Sequence, residues 1–188
     1  MNIRTFSPTI RRKEMDAVLT CMVEEKLGPG ELNARLIQQV KENFGFNGAF
    51  AVRSPAIALK YALRALDFEA GSAVIISALA PAWQYTVLTE LGYTCVIADV
   101  SEENGLITPE TAEEAVKAGG RVLLLHEGLG QIPDFAALLE LGIPVIEDIS
   151  QNAGAVVGDK CTGTFGTFAI LGLEENDILT AGGGAVLA

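Results

Sequence analysis

The chain has 188 residues and a formal net charge of −11, with 24 Asp and Glu against 13 Lys and Arg. That acidity excludes a surface built for the phosphate backbone of nucleic acid, and no run approaches the roughly 18 apolar residues of a membrane span. The residues are 49% hydrophobic with a mean hydropathy of +0.34, enough for one full core and an apolar surplus that points to an interface.

Residues 1–16 carry basic side chains with no apolar stretch behind them, and are read as no signal peptide. Segments 9–26 and 31–44 are predicted helices, followed by a strand at 48–54 ("GAFAVRS") and a helix at 56–66. Strands follow at 72–77 ("SAVIIS") and 94–100 ("TCVIADV"). In "ITPETAEEAVKAGG" Thr108 is a helix cap, Pro109 opens the helix and Gly119-Gly120 ends it. A strand at 121–127 precedes "PDFAALLELG", where Asp134 caps and Gly142 terminates. Strands at 144–150, 166–172 and 184–188 complete the chain. The middle strands are apolar on both faces, as parallel strands covered on each side are. Strand–helix–strand alternation gives a three-layer α/β/α fold with a mostly parallel seven-stranded sheet. It is read as a single domain over 1–188, with N-terminal helices in 9–44 and the sheet in 48–188.

Cys21, Cys95 and Cys161 are odd in number and form no CxxC pair. They indicate ordinary buried residues in a reduced, cytoplasmic setting. Ligands of such sheets bind at the carboxyl ends of the strands, which directs attention to 54–56, 77–83, 126–131, 148–151 and 172–180. "VRSPAIA" is not the GxGxxG of a dinucleotide site, and no GxSxG, Walker loop or HExxH is present. On the residues alone, Asp148 reads as a strand-end carboxylate capping a turn or helix. Gln151 reads as a polar side chain at a helix start, and Trp83 as a buried or interface tryptophan.

"GIPVIEDISQNAGA" resembles the "GLPVIEDAAQAHGA" of the DegT-type nucleotide-sugar aminotransferases, a branch of the fold type I enzymes that use pyridoxal phosphate. "VRSPAIALKYALRAL" resembles their "SGTAALHLALRAL", and "LLLHEGLGQIPD" their "VHLYGQPAD" with one inserted residue. The resemblance runs over nearly the whole chain and implies the large domain of that fold, seven strands with one antiparallel. The long helix and small C-terminal domain of the family are absent from these residues.

The resemblance also implies a cofactor site. Asp148 matches the aspartate that pairs with the pyridine nitrogen, and Gln151 the glutamine beside the ring. Ser54 and Ala56 fall on the phosphate-binding turn, where Pro55 removes one N–H and Ala56 lacks a hydroxyl. The phosphate-binding serine position falls on Leu171. Pro81 matches the stacking aromatic, with Trp83 two residues later as a candidate wall. Asn176 occupies the position of the Schiff-base lysine, and no lysine follows Lys160. An amide cannot form the imine. Family branches that use histidine there perform dehydrations, but the single His126 lies on a different strand. Glu174, Glu175 and Asp177 are read as a solvated loop.

The expectation is a degenerate homologue without transaminase activity, with no cofactor, acting as a binding or interaction protein. The alternative is a pyridoxal-phosphate-dependent aminotransferase for a nucleotide-linked keto sugar, present as a fragment or completed by a partner. A small-molecule ligand lined by Asp148, Gln151, Asn176, Trp83 and His126 is a further possibility. A homodimer is expected, and no metal, nucleic-acid or membrane partner.

Overall fold

The computed structural model describes residues 10–188; the predicted helix start at residue 9 lies outside them. Helix α1 spans Arg12–Val23 and α2 spans Glu31–Phe44, closed by Gly45 in the left-handed conformation (φ 76°). Then come β1 (Phe50–Val52), α3 (Pro55–Ala65), β2 (Ala73–Ser77), α4 (Ala82–Glu90) and β3 (Thr94–Ala98). They are followed by α5 (Pro109–Lys117), β4 (Val122–His126), a 3-10 turn (Gly128–Gly130), α6 (Phe135–Leu139) and β5 (Val145–Asp148). A hairpin of β6 (Val156–Val157) and β7 (Lys160–Cys161) precedes β8 (Phe168–Gly172) and β9 (Ala185–Leu187).

The seven predicted strands form one sheet in the order β1-β9-β8-β5-β4-β2-β3. Strand β9 is antiparallel to both its neighbours, and the remaining pairs are parallel. Because strand side chains alternate, neighbouring residues go to opposite layers. Ile76, Leu124, Ile146 and Ile170 pack with Leu59, Leu63 and Leu88 of α3 and α4. Ile75, Leu123 and Val145 face the other way, onto Ala112, Ala115 and Leu138 of α5 and α6. On that second face Leu171 and Val186 meet Val40 and Phe44 of α2. These three clusters make the α/β/α sandwich.

The helix caps act as the residue types require. The Thr108 hydroxyl accepts from the Thr111 N–H at 3.3 Å, and the Asp134 carboxylate from the Ala137 N–H at 3.2 Å. Two elements had no reading in the sequence. Helix α4 starts after Pro81 without a side-chain cap, and its apolar residues are spread around its circumference. Trp83 therefore stands in a first helical turn. The β6–β7 hairpin has two-residue strands joined through Gly158 (φ 62°) and Asp159, too short to give an alternation pattern.

Candidate functional site

Strands β4 and β5 are parallel neighbours whose register pairs His126 with Asp148 at their carboxyl ends. The start of α3, the first turn of α4 and the 174–177 loop close around them. The result is a cleft of about 600 Å³ lined by Ser54, Pro55, Ala56, Pro81, Trp83, His126, Asp148, Ser150, Gln151, Glu174, Glu175, Asn176 and Asp177. All six sequence-predicted site residues, separated by up to 122 positions (176 − 54), thus line one cavity.

Asp148 is 1% exposed and sits at the cleft floor. Its Oδ2 accepts from Gln84 Nε2 at 2.7 Å and lies 3.3 Å from His126 Nδ1. Its Oδ1 accepts from the Ser150 N–H at 3.2 Å and from the Ser150 hydroxyl at 2.5 Å. A carboxylate only accepts, so the His126 contact requires the proton on Nδ1. These donors satisfy a buried charge that would otherwise carry a large desolvation cost. Ser150 Oγ also accepts from the Gly172 N–H at 2.9 Å, which ties β8 to the same carboxylate.

Gln151 lines the cleft, and its Oε1 accepts from the Leu129 N–H at 3.2 Å, holding a turn whose Leu129 has φ 55°. The half-buried Trp83 forms a wall with its inner edge on the α3–α4 core. The Ser54 hydroxyl accepts from the Ile57 N–H at 3.3 Å, and the Ser54 carbonyl accepts from Ile57 and Ala58. Pro55 contributes no N–H, so Ala56 alone presents a free donor at this helix start. Leu171 is buried in the α2 core and does not line the cleft.

Asn176 is exposed at the cleft mouth. The loop bearing it is anchored by the Glu174 N–H on Asp177 Oδ2 at 2.7 Å, by the Ile178 N–H on the Ser150 carbonyl at 3.2 Å, and by the Ala181 and Gly183 N–H groups on the Leu173 carbonyl. Glu174 and Glu175 are solvated, as read from the sequence, whereas Asp177 turns half-buried into the cleft. Burial, and then the charge of Asp148, hold the Asp177 carboxyl above its usual range. Lys160 stands exposed in the β6–β7 hairpin, and no lysine or arginine among the described residues lines the cleft.

Sequence reading missed Gln84, gave Ser150 no role within the 148–151 stretch, and took Asp177 as solvated, whereas it is half-buried in the cleft lining. Gln84 falls four residues before Leu88, and the pair forms the buried row of α4; an amide on that row was the available signal. A second acidic layer lies beneath. Glu127 is fully buried, its Oε2 accepting from Asn152 Nδ2 at 2.7 Å and its Oε1 lacking a partner. The Glu147 carboxylate accepts from the backbone N–H groups of Gly163, Phe165 and Gly166. Burial foremost, and then the charge of Glu147, push Glu127 up to about 9.

Comparison with known proteins places this geometry in context. A Micromonospora echinospora protein assigned as an L-glutamine:3-amino-2,3-dideoxy-scyllo-inosose aminotransferase is 28% identical over 191 residues, covering 96% of this chain and 45% of the relative. The crystal structure of an aminotransferase from Psychrobacter cryohalolentis superposes with a TM-score of 0.89 at 26% identity, over 97% of this chain and 49% of the other. An E. coli GDP-4-keto-6-deoxy-D-mannose-3-dehydratase with bound hydrated pyridoxal phosphate shares the fold, with a TM-score of 0.89 at 23% identity, over 100% of this chain and 51% of that one. The chain thus spans about half the length of the relatives it matches. Residues 8–188 match the DegT/DnrJ/EryC1/StrS aminotransferase family, and the chain belongs to that pyridoxal-phosphate-dependent family.

Proposed function

We propose that this chain is a non-transaminating member of its family that binds a small molecule in the cleft without covalent chemistry. The carrying observation is Asn176 at the cleft mouth with no lysine in the lining. When bound, the cofactor of the family would supply an electron sink for the carbon that bears the substrate's amine, with a lysine amine to hold it between turnovers. Asp148 suits the pyridine nitrogen and Trp83 a ring face. The imine-forming amine is lacking, Pro55 and Ala56 make a poor phosphate cradle, and Leu171 lies in the core. The residues present therefore do not fit an imine-linked cofactor. The test is to incubate the purified chain with pyridoxal phosphate, an amino donor and a nucleotide-linked keto sugar. No amino transfer and no visible band of lysine-bound cofactor is the expected result. Amino transfer, or a borohydride-fixed cofactor mapped to a cleft residue, would overturn the reading.

A second reading is an aminotransferase acting on a nucleotide-linked keto sugar, completed by further residues or by a partner chain. It is favoured by the intact Asp148 and by the half-length match to sugar aminotransferases. Activity that appears only on mixing with a lysine-supplying partner would establish it.

The same proposal includes a homodimer in a reducing cytoplasm. Met15, Val18, Leu19 and Met22 form an i, i+3, i+4, i+7 row on α1 that is more than half exposed at each position. Cys21, Cys95 and Cys161 are unpaired thiols. Among the described residues no helix is long and apolar enough to cross a membrane. Sedimentation at micromolar concentration is expected to give a dimer, and a monomer throughout would refute it.

A further inference from the structure

We propose that Glu127 donates a retained proton from Oε1 to the Glu147 carboxylate. That proton closes a buried ring of hydrogen bonds, and its loss frees the 128–131 turn next to the cleft. The device is independent of what the cleft binds.

The ring can be followed from member to member. Both carboxyl groups are fully buried, Glu127 one residue past β4 and Glu147 within β5. Glu147 Oε2 accepts from the Gly163 N–H at 2.7 Å, and its Oε1 from the N–H groups of Phe165 and Gly166. The same segment is held at Thr162, whose hydroxyl donates to the Asn152 carbonyl at 3.0 Å. Asn152 Nδ2 in turn donates to Glu127 Oε2 at 2.7 Å and to the Gln131 carbonyl at 3.1 Å. The one open link is Glu127 Oε1, a buried oxygen without a donor on a carboxyl group within hydrogen-bonding reach of Glu147.

Two carboxylates only accept, so they cannot bond to each other. A proton between them turns the contact into a charge-assisted O–H···O⁻ bond. The donors decide which acid holds it. Three backbone N–H groups stabilise negative charge on Glu147, against one amide N–H on Glu127. Facing Glu127 are Glu147 and Asp148 from β5 and the neutral Asn152, with no cation among the groups that act on it. The His126 imidazole, on the preceding residue, turns to Asp148 on the cleft side. Burial first, and then the charge of Glu147, place the loss of the proton at about 9. When hydroxide removes it, two adjacent buried anions are left without a compensating cation. Glu127 then turns away and Asn152 gives up its knot with Gln131. The 128–131 turn is left tied to the 151–152 segment by the Gln151 bond to the Leu129 N–H alone.

The experiment is NMR of the uniformly labelled 188-residue chain, read at the side-chain carboxyl carbons and at the amides. Glu127→Gln is the comparison, because its amide keeps a donor toward Glu147 and an acceptor toward Asn152 at every pH. One glutamate carboxyl is expected to be protonated at neutral pH, to titrate near 9, and to be absent from Glu127→Gln. The amide shifts of Leu129, Gly163, Phe165 and Gly166 are expected to move with the same midpoint in the parent and to stay still in the variant. Above the transition, hydrogen exchange in 128–131 is expected to be at least roughly tenfold faster in the parent than in the variant. Asn152→Ala opens the ring at every pH. It is expected to give exchange in 128–131 roughly tenfold faster than the parent already at neutral pH, with the protonated carboxyl retained. The carboxyl spectrum of the parent tests the proposal whether or not either variant folds. A parent with every glutamate ionised at neutral pH, or a protonated carboxyl that survives in Glu127→Gln, overturns the proposal. So do amide shifts that ignore the titration, or exchange in 128–131 that is alike in the parent and both variants.

Discussion

Replacing Glu127 by glutamine should stabilise the fold near neutral pH, because the native side chain is a buried acid that the unfolded chain ionises. Glu127 is fully buried one residue past β4, one oxygen on Asn152 and the other without a partner. Its folded pKa is about 9 against an ordinary 4.5, with burial as the first cause. The sign follows from proton linkage. A group whose folded pKa is raised contributes its full stability below the unfolded pKa and loses it as pH climbs toward the folded one. The window runs from about pH 4.5 to 9, at about 1.4 kcal/mol per unit for one proton. Between the lower limit and pH 7 the loss amounts to about 3 kcal/mol. Glu127→Gln preserves shape and the acceptor for Asn152 while removing the titration. Urea midpoints at several pH values across this window are expected to show the parent losing stability more steeply than the variant. The variant should be the more stable by about 3 kcal/mol near neutrality. Parallel pH profiles for the two proteins would refute the assignment of a retained proton to Glu127.

Three further outcomes follow from the cleft and the caps. A methyl group at Gly172 would run into Asp177 Oδ2 and lie 2.7 Å from Ser150 Oγ. Gly172→Ala should therefore cost about 2 kcal/mol in urea unfolding and raise protease sensitivity in the 173–183 loop. Ser150→Ala removes the hydroxyl donor to Asp148 and the acceptor for the Gly172 N–H. A loss of about 2 kcal/mol is expected, read from the denaturation midpoint. Thr108→Ala deletes the cap of α5 and should cost about 1 kcal/mol, read from the urea midpoint.

Much of the fold was legible because its signals are local and repeated. Short apolar runs in 72–77, 121–127 and 144–150 bury both faces, and that pattern survives only in a parallel sheet covered by helices. The site positions were legible because strand ends in such sheets converge, so motifs far apart in sequence meet in one cleft. Other features depended on three-dimensional neighbours. Helix α4 has neither a cap nor a segregated apolar stripe, and it holds by packing Leu88 under α3. The role of Gln84 exists only through Asp148, 64 residues away. Asp177 looks like one more acid of a solvated loop until the missing side chain at Gly172 lets it turn inward.

Strand β9 gives the molecule a definite order of assembly. Among the described residues strand β1 pairs only with β9, Phe50 opposite Leu187, a separation of 137 positions (187 − 50). The five parallel strands can nucleate among themselves through crossovers of modest length. The edge formed by β1, with α2 leaning on it, must wait for residues 185–187 to slot between it and β8. On a ribosome β1 therefore emerges long before its sheet partner exists. Closing that long loop is slow and is expected to be the late step of folding. During that interval the apolar side chains of α2 and β1 are open to chaperones and to other nascent chains.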